Sequence, residues 1–123
     1  MGSSDLLGLT TSLTASTLVV ALVAGLMPRL VGEEPNPVVG IRTKATMSSP
    51  EAWQLGHQVA RPLLRRTVWT AGAGLCVQVV LGVVTGFGSV VSAVAAPSVF
   101  LAVFTVLLCA ALKGNAAAKS LQR

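Results

Sequence analysis

Charged side chains are absent from two long stretches of this 123-residue chain. Residues 6–28 contain no Asp, Glu, Lys, Arg or His, and neither do residues 67–112. A helix rises about 1.5 Å per residue and a bilayer's hydrocarbon core is about 30 Å thick, so about 20 apolar residues make one crossing. The first stretch therefore predicts one helix. The second is about twice too long for one crossing and is interrupted by Gly86-Phe87-Gly88-Ser89, which predicts two helices joined by a turn.

The composition agrees with a membrane environment. Hydrophobic residues make up 53% of the chain and charged residues 11%, whereas soluble domains carry about 25% charged residues. We therefore predict an all-α integral membrane protein with three transmembrane helices, forming a single membrane domain over residues 1–123. The predicted spans are about 6–28, 63–86 and 90–112. The third is expected to begin near Val90, with Pro97 producing a mild kink inside it.

The basic residues predict the orientation of the chain. Six of the nine lie between the first two spans, and the other three follow the third span. The six are Arg29, Arg42, Lys44, Arg61, Arg65 and Arg66. Short basic loops stay in the cytoplasm, so we expect a multi-pass plasma-membrane protein with its N-terminus outside and its C-terminus cytoplasmic. Anionic lipid headgroups are the expected partners of these residues, and their distribution argues against nucleic acid.

Each predicted span has one face of small or hydroxyl residues. Such faces allow close backbone approach in lipid, where the hydrophobic effect does not draw helices together. On the first span the face is Thr10, Thr14, Thr17, Ala21, Gly25 and Pro28, opposite Val19, Val20, Val23, Leu26 and Met27. On the second it is Thr67, Ala71, Gly74, Gln78, Gly82 and Thr85. On the third it is Ala95, Ser98, Ala102, Thr105 and Cys109. We expect these faces to meet in a compact bundle.

Two features of the second span have alternative interpretations. Gln78 is the one strongly polar side chain deep in a span. It predicts an interhelical hydrogen bond, worth about 0.6–2 kcal/mol, and the alternative is a place on a solute path. Gly82 and Gly86 form a GxxxG pair, which serves either packing within the chain or contact in a homo-oligomer. The spans contain no ionisable residue of the kind that ion-coupled transporters use.

The cytoplasmic loop 29–62 is expected to contain a further helix. Ser48-Ser49-Pro50-Glu51 predicts a helix start, with Ser48 and Glu51 at capping-box spacing. Residues 50–61 are predicted to form a short amphipathic helix along the inner interface, anchored by Trp53 at headgroup depth. Pro62 would mark the bend into the second span.

The same loop carries a motif. Its residues are Asn36-x-x-x-Gly40-Ile41-Arg42-Thr43-x-x-Thr46, followed by Trp53-x-x-x-His57. This pattern resembles the signature of the SdpI family of membrane immunity proteins, which place such a segment between their first two spans. The founding member protects a cell from a secreted membrane-active toxin of its own population and draws a transcriptional repressor to the membrane. The resemblance implies immunity through binding of a peptide toxin, or of its target, at the bilayer.

The resemblance also supplies candidate binding residues, each with a structural alternative. They are Asn36, Gly40, Arg42, Thr43, Thr46, Trp53 and His57. Arg42 would contact a peptide, a lipid phosphate or a partner, or would only set topology. His57 would contact a ligand or respond to pH, or would hydrogen-bond within its loop to Asn36 or Thr43. The side chains of Asn36, Thr43 and Thr46 are expected to hold the turns of the loop.

An enzyme is not expected. A lone histidine without a nearby cysteine does not make a zinc site of ordinary ligand count, and no nucleophile with an adjacent base is present. We therefore predict no catalytic residue, no metal and no cofactor. Two further hypotheses stay open. The chain is an accessory subunit of a larger membrane protein complex, or it transports a small solute as a homo-oligomer.

Overall fold

The computed structural model describes residues 2–122 and contains three long α-helices. They are α1 (Ser3–Leu30), α2 (Pro50–Thr85) and α3 (Val90–Ser120), and one 3-10 turn, Thr46–Ser48, precedes α2. Residues 2–122 contain no β-strand. All three helices are long and apolar enough to cross a membrane. The chain is therefore an all-helical, multi-pass membrane protein, as its charge pattern predicts.

A tight turn folds α2 and α3 into a hairpin, and these two helices make the most extensive contact in the bundle. Gly86 ends α2 with a φ of +97°, a value that favours glycine. The hydroxyl of Ser89 then accepts the Ser92 backbone N–H at 3.1 Å and caps α3. The ring of Phe87 lies against Gly82, so Gly82 packs within the chain. We call this the turn end of the bundle and the opposite end, where the basic residues lie, the basic end.

The structure has no separate interfacial helix at residues 50–61, which is a correction to the sequence-based prediction. These residues are the first three turns of α2, which continues through Pro62. A buried stripe at helical spacing runs along the whole segment and packs against α1 and α3. Its members include Trp53, Ala60, Leu64, Thr67 and Ala71. Pro62 is on the exposed side, so the carbonyl that loses its hydrogen bond there points away from the core.

The cap of α2 is also one residue later than predicted. Ser49 is the N-cap, and its hydroxyl accepts the Ala52 backbone N–H at 3.0 Å. The hydroxyl of Ser48 instead donates to the Ala45 carbonyl at 2.6 Å, inside the preceding 3-10 turn. Both serines therefore have local partners, and only the second has the extended backbone that an N-cap requires.

The hydrophobic core lies at the basic end. The larger cluster combines residues from all three helices and the loop: Ala24, Met27, Val31, Ile41, Trp53, Ala60, Leu64 and Ala110. A smaller cluster contains Ala45, Ala52 and Ala118. Met27, which the sequence pattern assigns to lipid, is buried because the loop folds back over the end of α1.

At the turn end α1 and α2 are joined by a polar contact. The side-chain Nε2 of Gln78 donates to Thr14 Oγ1 at 2.9 Å. This is the interhelical hydrogen bond that the sequence predicts for Gln78, the one strongly polar side chain deep in a span.

The predicted face of α3 is wrong. Ser98, Ala102, Thr105 and Cys109 are exposed on the outside of the bundle. The buried side consists of Ser92, Ala93, Ala96, Val103, Ala110, Gly114 and Ala118. The reason is the close approach of α2 and α3 at two glycines, because a Cβ added to Gly114 would lie 2.8 Å from the carbonyl oxygen of Gly56. That contact sets the rotation of α3 about its axis.

We predict that Gly114→Ala destabilises the bundle by about 1–3 kcal/mol, because the new methyl group meets backbone that cannot move away without separating the helices. Gly72→Ala is the matched control, since its Cβ has no described atom within 4 Å. Thermal unfolding of the detergent-solubilised protein measures both changes. Equal melting temperatures for the two variants would contradict the proposed crossing point.

Candidate functional site in the loop between α1 and α2

The loop begins by capping the end of α1. Asn36 Oδ1 accepts the backbone N–H groups of Val38 and Val39 at 2.9 and 3.0 Å. Its Nδ2 donates to the carbonyl of Leu30, the last residue of α1, at 3.3 Å. One side chain therefore forms an Asx turn and satisfies a free helix carbonyl. This is the structural role expected for Asn36.

Gly40 brings the loop backbone against the rings of Trp53 and His57. It has a φ of +120°, and a Cβ there would lie 2.7 Å from both His57 Nε2 and Trp53 Cη2. The next residue, Ile41, donates its backbone N–H to His57 Nε2 at 2.8 Å. Only glycine fits this close approach, so the Gly-Ile pair of the motif positions the loop on α2.

Two threonines close the second turn of the loop. Thr46 Oγ1 donates to the Ile41 carbonyl at 2.6 Å and accepts the Thr43 backbone N–H at 2.9 Å. Thr43 Oγ1 accepts the Thr46 backbone N–H at 3.1 Å. Each hydroxyl therefore accepts a hydrogen bond from the backbone N–H of the other threonine, and Thr46 is fully buried. The prediction that these side chains hold the turns is confirmed.

Trp53 is buried in the protein core and has no surface with which to contact lipid headgroups. Its side chain is 0% exposed, and its indole Nε1 donates to the Val31 carbonyl at 3.3 Å. Its ring packs on that of His57 with 4.2 Å between the centroids. The predicted interfacial anchor is therefore wrong, because the loop covers the face of α2 that would have met the headgroups.

His57 hydrogen-bonds within the protein, although neither expected partner is used. Nε2 must be unprotonated to accept from Ile41, so Nδ1 carries the proton and donates to the Trp53 carbonyl at 2.8 Å. His57 precedes the uncharged stretch of α2, which begins at Thr67, and so lies outside the membrane-spanning segment. Burial lowers its pKa below 6.5, and the hydrogen bond to Trp53 opposes this only in part.

Arg42 is the exception among the seven candidates, because its side chain is exposed. Gly40, Thr43, Thr46, Trp53 and His57 form an internal network around Ile41 that holds the backbone on either side of Arg42, while Asn36 caps the end of α1 separately. A cleft of about 380 Å³ lies on another side of His57, between the end of α1 and α2. Its charged lining residues are Arg29, Glu33 and Arg61. No metal-binding group of three or more His, Cys, Asp or Glu residues is found within residues 2–122.

Sequence reasoning missed Ile41, Gly56 and Gly114 as parts of this site. A Cβ added to Gly114 would lie 3.1 Å from Ile41 Cδ1, so α3 packs directly against the loop at this position. The signal was present, since Gly56 is one turn from both Trp53 and Ala60, and Ala110, Gly114 and Ala118 repeat every four residues. This small-xxx-small spacing is typical of close helix contacts in membranes.

We predict that Gly40→Ala destabilises the protein more than Gly32→Ala, by about 1–3 kcal/mol. Both glycines have positive φ, so both substitutions strain the backbone, but Gly32 has no described atom within 4 Å of an added Cβ. Thermal unfolding followed by tryptophan fluorescence measures the difference. Equal losses for the two variants would show that the loop does not pack on Trp53 and His57.

We also predict that acid weakens the fold through His57. Its pKa is about 6.5 in the unfolded chain and lower in the folded one. Below pH ~6.5 the unfolded chain therefore binds more protons, so stability is complete above that pH and falls as the pH drops toward the folded pKa. Since His57 is the only histidine, His57→Gln should flatten this dependence in melting curves between pH 5 and 7. An unchanged slope in the variant would contradict the assignment.

One family of known proteins matches the chain. A model of the SdpI/YfhL protein family matches residues 33–113, which include the loop motif from Asn36 to His57, all of α2 and most of α3. No curated protein and no solved structure matches the chain. The match covers more than half of the sequence and confirms the family expected from the loop motif. The chain belongs to the SdpI/YfhL protein family.

Proposed function

We propose that this protein gives immunity to a membrane-active peptide toxin by binding the toxin, or its target, at the bilayer. The observation that carries the proposal is the family match, which spans the loop motif and most of the hairpin of α2 and α3. A membrane-embedded bundle without a soluble domain among the described residues has lipid and lipid-embedded molecules as its direct surroundings.

The geometry of the loop supports a recognition role for Arg42. Its backbone neighbours Ile41 and Thr43 are held by His57 and Thr46, so little backbone freedom remains to be lost when a ligand binds the Arg42 side chain. A guanidinium group binds carboxylate and phosphate in a bidentate manner. We propose that Arg42 contacts a lipid phosphate or a peptide carboxylate, while the other six motif residues keep it in place.

The charge distribution supports a specific orientation. We propose that the basic end faces the cytoplasm and that the N-terminus and the turn end face outward. A secreted toxin then meets the turn end first, and Arg42 lies at the opposite leaflet. The two ends have different tasks under this proposal. The outer half meets the incoming molecule, and the inner half holds the bundle to anionic headgroups.

The test is protection of a toxin-sensitive cell. We expect cells that express the chain to keep their membrane potential under a panel of secreted depolarising peptides, as measured with a potential-sensitive dye. Arg42→Ala should reduce protection while leaving membrane insertion and thermal stability unchanged. Lys44→Ala is the matched control, because it removes another exposed basic residue of the same loop. Unchanged depolarisation by every peptide, with insertion verified, would contradict immunity.

A second candidate function is an accessory subunit of a larger membrane protein. The observation that favours it is the exposed small-residue face of α3, formed by Ser98, Ala102, Thr105 and Cys109. Faces of this kind pack closely against other helices in lipid. Purification in mild detergent separates the two functions. A larger partner in fixed stoichiometry would support the subunit, and a lone monomer or homodimer would oppose it.

A further inference from the structure

Two adjoining cavities form one groove between α1 and α2 at the basic end of the bundle. The polar part is the cleft of about 380 Å³ beside His57, and the apolar part has a volume of about 300 Å³. Pro28 and Arg61 line both parts. From these two residues the apolar part continues along α2 past Val68 and Trp69.

The polar part offers a ligand charged hydrogen-bond donors. The carbonyls of its lining residues Val31 and Glu33 already accept side-chain N–H groups from α2, at 3.3 and 3.0 Å. Both ring nitrogens of His57 have partners as well. The side chains of Arg29 and Arg61, by contrast, are exposed, and they line the cleft from different helices.

The groove as a whole carries an excess of positive charge. The basic residues that line its two parts are Arg29, Arg61 and Arg65, and the acidic residue among the described lining is Glu33. Opposite charges attract and like charges repel at these distances. The groove therefore favours an anion.

The edge of the uncharged part of α2 crosses this groove. Arg61 and Arg65 precede the uncharged stretch that begins at Thr67, whereas Val68 and Trp69 lie within it. Charged residues stay at headgroup level and uncharged residues enter the hydrocarbon. A ligand that fills both parts of the groove is therefore an amphiphile with an anionic head.

We propose that the groove binds one anionic phospholipid, with its phosphate at Arg29 and Arg61 and one acyl chain against Val68 and Trp69. Phosphate oxygens accept hydrogen bonds, and a guanidinium group donates to two of them at once. Arg42 lines neither part of the groove, so this site is separate from the candidate recognition site in the loop. It also does not rest on the proposed immunity function.

The length of the groove favours a lipid over a free phosphate ion. Trp69 follows Arg61 by eight residues, which corresponds to about 12 Å along α2. One leaflet contributes about 15 Å of hydrocarbon. A phosphate at Arg61 therefore places the upper part of an acyl chain beside Val68 and Trp69, and the remainder extends into the bilayer. A free ion would occupy the polar part alone.

The experiment measures quenching of Trp69 fluorescence by phospholipids that are brominated near the top of the acyl chain. The full chain is reconstituted in phosphatidylcholine vesicles that contain a small fraction of brominated phosphatidylglycerol or, in parallel, of brominated phosphatidylcholine. Trp69 is the reporter, because Trp53 is buried, and Trp69→Phe should remove the difference between the two lipids. We expect the anionic lipid to be preferred by about tenfold, from two exposed ion pairs.

Variants separate this site from a general attraction of the basic end to anionic lipid. Arg29→Gln and Arg61→Gln should each lower the preference by about two- to fivefold, the range for one exposed ion pair. Arg66→Gln is the matched control. Arg66 is an exposed arginine of α2 that lines neither part of the groove, and its loss changes the net charge equally. All three side chains are exposed, so the melting temperatures should be unchanged.

A soluble competitor separates the lipid from the free ion. Glycerol phosphate carries a phosphate group without acyl chains, so an excess of it should leave the quenching by brominated phosphatidylglycerol unchanged. Full reversal of the quenching by glycerol phosphate would show a phosphate site in which the apolar part has no role.

Two further results would overturn the proposal. Equal quenching by the two brominated lipids would show that the groove does not select an anionic headgroup. Equal losses of preference in Arg61→Gln and Arg66→Gln would show attraction spread over all basic residues. None of these measurements involves a toxin, so failure of the immunity proposal is distinguished from failure of the lipid site.

Discussion

The hydrogen bond from the Ile41 backbone to His57 holds the loop on the membrane bundle. It requires a neutral imidazole, a glycine immediately before Ile41, and a loop short enough to return to α2 after α1 ends. Once it forms, Trp53 is covered, Val31 receives the indole N–H, and the end of α1 is enclosed. The larger core cluster includes both Ile41 and Trp53, and the hydrophobic effect stabilises it because the loop removes its apolar surface from water.

The two ends of the bundle are stabilised by different interactions. At the basic end, buried apolar side chains and a dense set of loop hydrogen bonds combine with the approach of Gly56 to Gly114. At the turn end, α1 is held by the bond between Thr14 and Gln78 and leaves a cavity beside it. The hydrogen bonds at the basic end hold the backbone beside Arg42. At the turn end, α1 packs less closely on α2.

The local roles of short polar residues could be predicted well. Asn36, Thr43 and Thr46 bond to backbone within a few positions of themselves, so sequence spacing contains the necessary information. Gln78 was equally clear, since a lone amide in an apolar span needs a partner on another helix. The location of Trp53 could not be predicted in this way, because an aromatic side chain on an amphipathic segment suits both a membrane interface and a protein core. The loop that covers it is brought there by contacts sixteen and twenty-two residues apart.

The span count and the location of the turn were therefore readable from the order of residues, because hydrocarbon thickness and charge exclusion act on each segment separately. The family was readable from the resemblance of the loop motif. The order of residues did not predict three other features, which are the burial of Trp53, the continuity of α2 through Pro62 and the rotation of α3 about its axis. Each depends on which surfaces meet in three dimensions, and α3 has small residues on two sides that satisfy the same pattern. The cavity beside Gln78 also depends on tertiary packing, because a gap exists only where two helices do not fill the space between them.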